Sequence, residues 1–147
     1  MDEVDRQIIR FLQQDGRMPL TEIAARLRLA EGTVRKRLAR LLEEGIVRIT
    51  AVVDPERLGK ATTAIVRIKV DGDRGPEVAE TLRMLPEVRY LGFSAGEYDL
   101  ILQVVVESNE QLFQFLTGRL REIEGVEASD TSLILRTVKE ADAWFDP

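Results

Sequence analysis

Between Arg26 and Arg40, six of the seven charged residues are basic and Glu31 is the only acid. The segment reads Arg26-Leu-Arg28-Leu-Ala30-Glu31-Gly-Thr33-Val-Arg35-Lys36-Arg37-Leu-Ala-Arg40. Cations at this density along one short stretch suit the phosphates of double-stranded DNA. The chain as a whole is acidic, with a formal net charge of −5 and a pI near 4.9. The charge is divided unevenly: residues 1–60 hold 12 Lys/Arg against 10 Asp/Glu, and residues 61–147 hold 9 against 16, for net charges of +2 and −7. Fields act locally, so an acidic half turned from the duplex leaves the basic one free to engage it.

Other chemistries are poorly provided for. The 147 residues include neither His nor Cys. That removes disulfides, His/Cys zinc sites and the usual nucleophile–base systems. Acidic pairs such as Glu97/Asp99 and Glu122/Glu124 have no such partner, so no catalytic residue, metal site or cofactor is expected. No apolar run approaches the roughly 20 residues that span a bilayer, and the acidic N-terminus does not read as a secretory signal. No membrane association is expected, and the expected compartment is the cytoplasm.

The basic run needs a scaffold, and the N-terminal residues supply one. Asp2 can cap a helix with Val4, Ile8, Phe11 and Leu12 on one face, and Gly16 is expected to stop it in a left-handed turn. Pro19 opens a short second helix with Leu20, Ile23, Ala24 and Leu27 at helical spacing. A third is expected from about Ala30 to Glu44, with Val34, Leu38, Leu41 and Leu42 inward. Residues 46–53 are β-branched and mostly apolar, as a two-strand wing would be, and Asp54-Pro55 with Gly59 marks a hinge. On a helical wheel Gly32, Thr33, Lys36 and Arg40 lie opposite the apolar stripe, towards a major groove, while Arg35 and Arg37 flank it within reach of phosphates.

The remainder reads β-α-β-β-α-β. Residues 62–70 alternate, with Ala64, Val66, Ile68 and Val70 on one side. Gly75-Pro76 opens a helix bearing Val78, Leu82 and Leu85. Residues 88–95 and 98–107 read as strands joined across Gly96-Glu97. Ser108 and Gln111 form a capping box before a stripe of Leu112, Phe113, Leu116, Leu120 and Ile123, and a last strand is expected over about 128–138. The fold class is therefore α+β: a winged helix-turn-helix over 1–53, a hinge over 54–61, a ferredoxin-like βαββαβ domain over 62–140 and a tail over 141–147. In that topology both helices cover one sheet face. The other holds too much apolar surface for water, so a homodimer formed through the sheet is expected.

This combination resembles the Lrp/AsnC family of transcriptional regulators. The resemblance rests on Asp5 with Ile8-Ile9 and Leu12, on Asp15-Gly16-Arg17, and on Glu22-Ile23-Ala24. It continues through Thr33-Val34-x-x-Arg37-Leu38-x-x-Leu41-x-x-x-Gly45-Ile46, Val53-Asp54-Pro55-x-x-Leu58-Gly59 and Gly96-Glu97-Tyr98-Asp99-Leu100. Membership implies a RAM (ACT-like) effector domain, dimers that assemble to octamers, and a small-molecule effector, commonly an amino acid, bound near the Gly-x-Tyr-Asp hairpin. Gly96, Tyr98 and Asp99 are then the candidate effector residues, with Thr131 and Ser132 completing the polar lining. Asp99 could accept from an ammonium and a glycine N–H could donate to a carboxylate.

Three positions depart from the family pattern. Arg28 stands where Gly is usual between the helices, Ala30 where Ser caps the recognition helix, and Pro19 where Ser often caps the second helix. The rival reading is an architectural protein that coats DNA with little specificity and no effector.

Overall fold

The structure is a computed structural model that describes residues 1–140, so the expected tail, 141–147, lies outside the described residues. The chain forms two compact units, Met1–Val52 and Val53–Val138, and each is built around its own core.

The first unit holds α1 (Glu3–Gln14), α2 (Leu20–Leu27) and α3 (Glu31–Glu43). Ile8, Ile23, Ala24, Val34 and Leu38 meet in its core, with Val4, Phe11 and Leu27 packed around them. These are the apolar positions that recur at helical spacing, because burying them is what holds helices this short. Asp2 caps α1 as expected. Its side chain accepts from the Asp5 N–H at 3.0 Å, and the Asp5 carboxylate accepts from the Asp2 N–H at 3.0 Å, closing a reciprocal capping box.

Three local expectations fail here. Gly16 does not adopt the left-handed conformation; α1 ends at Gln14 with Asp15 extended, and the Asp15 carboxylate takes the Arg17 N–H instead. Leu42 is 42% exposed, because Leu41, one wheel step away, takes the buried place. Residues 46–53 form no strand. Gly45, at φ 68°, turns the chain so that the N–H groups of Ile46 and Val47 both reach the Leu41 carbonyl. That bonding closes the end of α3 and starts no ladder, and Ile49, Val52 and Val53 stay exposed.

The second unit is a four-stranded antiparallel sheet ordered β2-β3-β1-β4, from β1 (Thr62–Val70), β2 (Val88–Phe93), β3 (Leu100–Val106) and β4 (Val126–Ile134). With α4 (Gly75–Arg83) and α5 (Asn109–Gln114) this is the ferredoxin-like arrangement. Ala64, Val66, Ile68, Leu100, Leu102 and Val104 point to the helix side and are buried with Val78, Leu82, Leu112, Phe115 and Leu120. Gly125, at φ 98°, passes so close to α4 that a Cβ would stand 3.0 Å from Val78.

The expected long helix after Ser108 is interrupted. Beyond α5 the chain widens into a π turn, Phe115–Arg119, where the Leu120 N–H reaches back to the Phe115 carbonyl at 2.9 Å. Gly118, a poor helix former, lies within it. Leu112 and Phe115, one turn apart on the regular part of the helix, take the buried face and leave Phe113 60% exposed, and the residue added after Phe115 brings Leu120 back to the core.

Candidate nucleic-acid interface and effector hairpin

The exposed face of α3 carries Gly32, Thr33, Lys36, Ala39 and Arg40, with Arg35 to one side. Its four cations differ sharply in what holds them. Arg35 pairs with Glu31 one turn back, both side chains being substantially exposed. Such i,i+4 surface pairs contribute only about 0.3–0.5 kcal/mol, so Arg35 can exchange its partner for a phosphate. Among the described residues Lys36 makes no ion pair, and it projects beside the exposed Thr33.

Arg37 and Arg40, expected at the DNA face, turn instead to the first helix. Arg37 Nη1 donates to Asp2 Oδ2 at 2.7 Å and to Asp5 Oδ1 at 3.0 Å; Arg40 Nη2 donates to Asp5 Oδ2 at 2.6 Å. The two carboxylates of the α1 capping box are therefore also acceptors for two guanidiniums of α3. Asp5 is 1% exposed. Burial alone would raise its pKa, but the Asp2 N–H and the Arg37 and Arg40 guanidiniums outweigh that effect and hold it at about 2. Asp2 is lowered as well, first by its bond from Arg37.

The turn before α3 carries two of the three departures noted in the sequence. Arg28 sits at φ 56°, ψ 43°, a left-handed conformation that costs a residue with a Cβ roughly 1 kcal/mol or more. Ala30 precedes α3 with no side chain to cap it, and Pro19 leaves the start of α2 similarly uncapped.

In the second unit the connection between β2 and β3 runs over residues 94–99, longer than the two-residue turn expected. It is closed by its own bonds: the Ser94 N–H to the Asp99 carbonyl at 2.9 Å, Ser94 Oγ to the Tyr98 carbonyl at 2.5 Å, and the Asp99 N–H to the Ile68 carbonyl at 2.9 Å. Asp99 Oδ2 accepts from the Val70 N–H at 2.7 Å, so this carboxylate pins the loop to the end of β1. Gly96, at φ 131°, is exposed at the tip.

Thr131 and Ser132 are not brought together. Successive strand residues face opposite ways, so Ser132, opposite Ile65, lies on the open sheet face, and Thr131, opposite Val66, lies on the helix side. On the open face Arg67 gathers what the hairpin lacks. It pairs with Asp130, donates to Ser132 Oγ at 2.8 Å, and its guanidinium lies 5.9 Å from the Tyr98 ring centre. Arg67 and Asp130, opposite charges on two strands of one face, were the available signal for this cluster. Asp5 carried its own signal, because it falls on the apolar face of α1.

Among the described residues no His/Cys/Asp/Glu cluster is arranged to hold a metal ion, and no helix is long and apolar enough to cross a membrane.

Residues 1–42 match the AsnC-type helix-turn-helix domain, and residues 63–144 match the Lrp/AsnC ligand binding domain. An uncharacterized HTH-type transcriptional regulator of Pyrococcus furiosus is 40% identical over 141 residues, covering 95% of each chain. The HTH-type transcriptional regulator FL11 of Pyrococcus horikoshii is 38% identical, covering 95% of this chain and 93% of that one. The structure of E. coli AsnC superposes with a TM-score of 0.92 at 21% identity over 97% of both chains. A transcriptional regulator from Neisseria meningitidis, solved as a complex with L-Met, superposes with a TM-score of 0.89 at 27% identity, over 97% of this chain and 94% of that one.

Proposed function

Because this chain belongs to the Lrp/AsnC family of transcriptional regulators, with a helix-turn-helix and a ligand-binding domain, we propose that it recognises a particular operator and adjusts its binding to a free amino acid. Lys36 carries the DNA half of this reading. It is exposed on α3, has no carboxylate partner among the described residues and stands beside Thr33, the pair best placed to read base edges in a major groove. Arg35 takes a phosphate, its pair with Glu31 being weak enough to exchange.

The effector half is supported by the neighbour solved with L-Met and by the hairpin. Asp99 Oδ2 is committed to Val70, but Oδ1 has no hydrogen bond among the described residues and can accept from an ammonium. The exposed backbone at Gly96 supplies donors for the carboxylate, and Tyr98 walls the site. The open sheet face, with Tyr90 60% exposed beside half-buried Ile101, is the surface through which two copies associate before assembling further.

Selection of bound sequences from random duplex DNA, with and without each of the twenty amino acids, tests both halves. A recovered motif whose affinity or spacing changes with one amino acid supports the reading. Equal binding to every sequence, unchanged by any of them, points to the architectural alternative.

A further inference from the structure

The basic face of α3 is less available to DNA than its composition implies, because two of its four cations end on a carboxylate that water does not reach. Arg37 and Arg40, three residues apart on α3, both reach Asp5, which is 1% exposed. Asp2 completes a cluster of two acids and two guanidiniums in which every partner belongs to the first unit.

We propose that Asp5 is a positioning residue for the DNA-reading helix: it fixes the roll of α3 against α1 and withholds Arg37 and Arg40 from the phosphates, leaving Lys36 and Thr33 to read. This rests on the DNA-binding role just assigned.

Two observations support it. The first is that the start of α3 is weakly fixed by its own sequence. Ala30 gives no cap and Arg28 turns the chain at φ 56°, so neither residue specifies where the helix begins to face. Two arms from the middle of α3 converging on one carboxylate set the rotation that the start leaves loose, since rolling the helix by one wheel step would break at least one arm. The second is a difference in cost. Releasing Arg35 exposes a solvated Glu31, whereas releasing both Arg37 and Arg40 leaves a buried carboxylate held only by the Asp2 N–H. Buried charges stripped of partners are far more costly than surface ones. The phosphates therefore draw on Arg35 before they draw on Arg37 or Arg40.

The full chain, Asp5→Asn, Arg40→Gln and Lys36→Ala are compared for binding to the selected operator and to random duplex over a range of salt. The slope of log affinity against log salt falls by about 0.9 for each phosphate engaged. Asp5→Asn should hold random duplex at least as tightly, with a slope steeper by about one to two units, while its preference for the operator drops roughly tenfold as the freed arginines reach any phosphate. Arg40→Gln should leave the slope on random duplex unchanged. A loss of about one unit of slope in Arg40→Gln would make Arg40 an ordinary phosphate contact and overturn the proposal, and this holds even if Asp5→Asn does not fold. Equal losses on both DNAs by Asp5→Asn, with the slope unchanged, would reduce Asp5 to a purely structural acid. Wild-type protein that binds no duplex would overturn the DNA-binding role itself, a result visible before any substitution is made.

Discussion

Asp5 and Arg40, 35 residues apart in the chain, join two helices through one 2.6 Å bond, from a half-exposed guanidinium to a carboxylate that is 1% exposed. A depressed folded-state pKa gives this bond a defined pH window. The carboxyl sits at about 2 in the folded chain against an ordinary 3.8. Its stabilisation is complete above the unfolded value and lost as pH falls through the folded one. Asp5→Asn should cost about 1–3 kcal/mol near neutrality. The difference from wild type should shrink between about pH 4 and pH 2 as the native carboxyl itself takes a proton. Amide exchange in α1 and α3 reports on this unit alone; a difference that stays constant down to pH 2 would contradict the assignment.

The turn before α3 holds two local costs, and both are reversible. Arg28→Gly relieves a left-handed residue with a Cβ, and Ala30→Ser restores a hydroxyl for the free N–H groups at the start of α3. Each should stabilise the helix-turn-helix by roughly 0.5–1 kcal/mol. Denaturation midpoints that stay level or fall in both variants would show that the turn is already relaxed.

How far these features were legible in the sequence depended on the range of the forces that set them. Buried positions of α1, α2 and β1 follow from periodicity, since one apolar face decides each element. Phe115 rather than Phe113 is buried because it shares a helix face with Leu112, a choice between adjacent wheel positions that periodicity leaves open, and the π turn that then spaces Phe115 from Leu120 by five residues is signalled by no period. The basic face of α3 was visible as composition, but its division was not, because the carboxylates that claim Arg37 and Arg40 lie in another helix. Asp5 on an apolar stripe was the trace of that division, since an acid there needs a cation. Thr131 and Ser132 fail as a pair for a simpler reason: adjacent strand residues point apart.

Lys36→Ala should weaken operator binding by roughly 1–3 kcal/mol and relax base preference at one position of the site. Arg35→Ala should instead weaken operator and random DNA alike and flatten the salt dependence by about one phosphate. Competition titrations against single-base operator variants separate the two. Identical profiles for both variants would mean that neither reads a base.

The open sheet face carries the oligomer prediction. Ile101 lies at its centre, opposite both Arg67 on β1 and Gly92 on β2. Ile101→Asp places a charge where two apolar faces would meet and leaves the helix-side core untouched. Sedimentation should show wild type as a dimer or larger and Ile101→Asp as a folded monomer at micromolar concentration. Unchanged assembly would move the interface elsewhere.

Asp99 poses the sharpest question, because one carboxylate is asked to do two things. Oδ2 holds the Val70 N–H at 2.7 Å, a role that any acceptor oxygen in that place can fill. Oδ1 is proposed to meet an ammonium, a role in which the charge matters, since charge-assisted bonds are about twice as strong as neutral ones. Asp99→Asn separates them. It keeps an oxygen for Val70, so the loop and the thermal midpoint without ligand should scarcely change. It removes the charge, so the amino acid that raises the wild-type midpoint should bind at least tenfold more weakly by calorimetry. Asp99→Ala should lose both, with the Val70 N–H left without its acceptor at a cost of about 1–2 kcal/mol. If Asp99→Asn binds the same amino acid as tightly as wild type, the carboxylate is only a loop clamp, and the ammonium must be met by another acceptor.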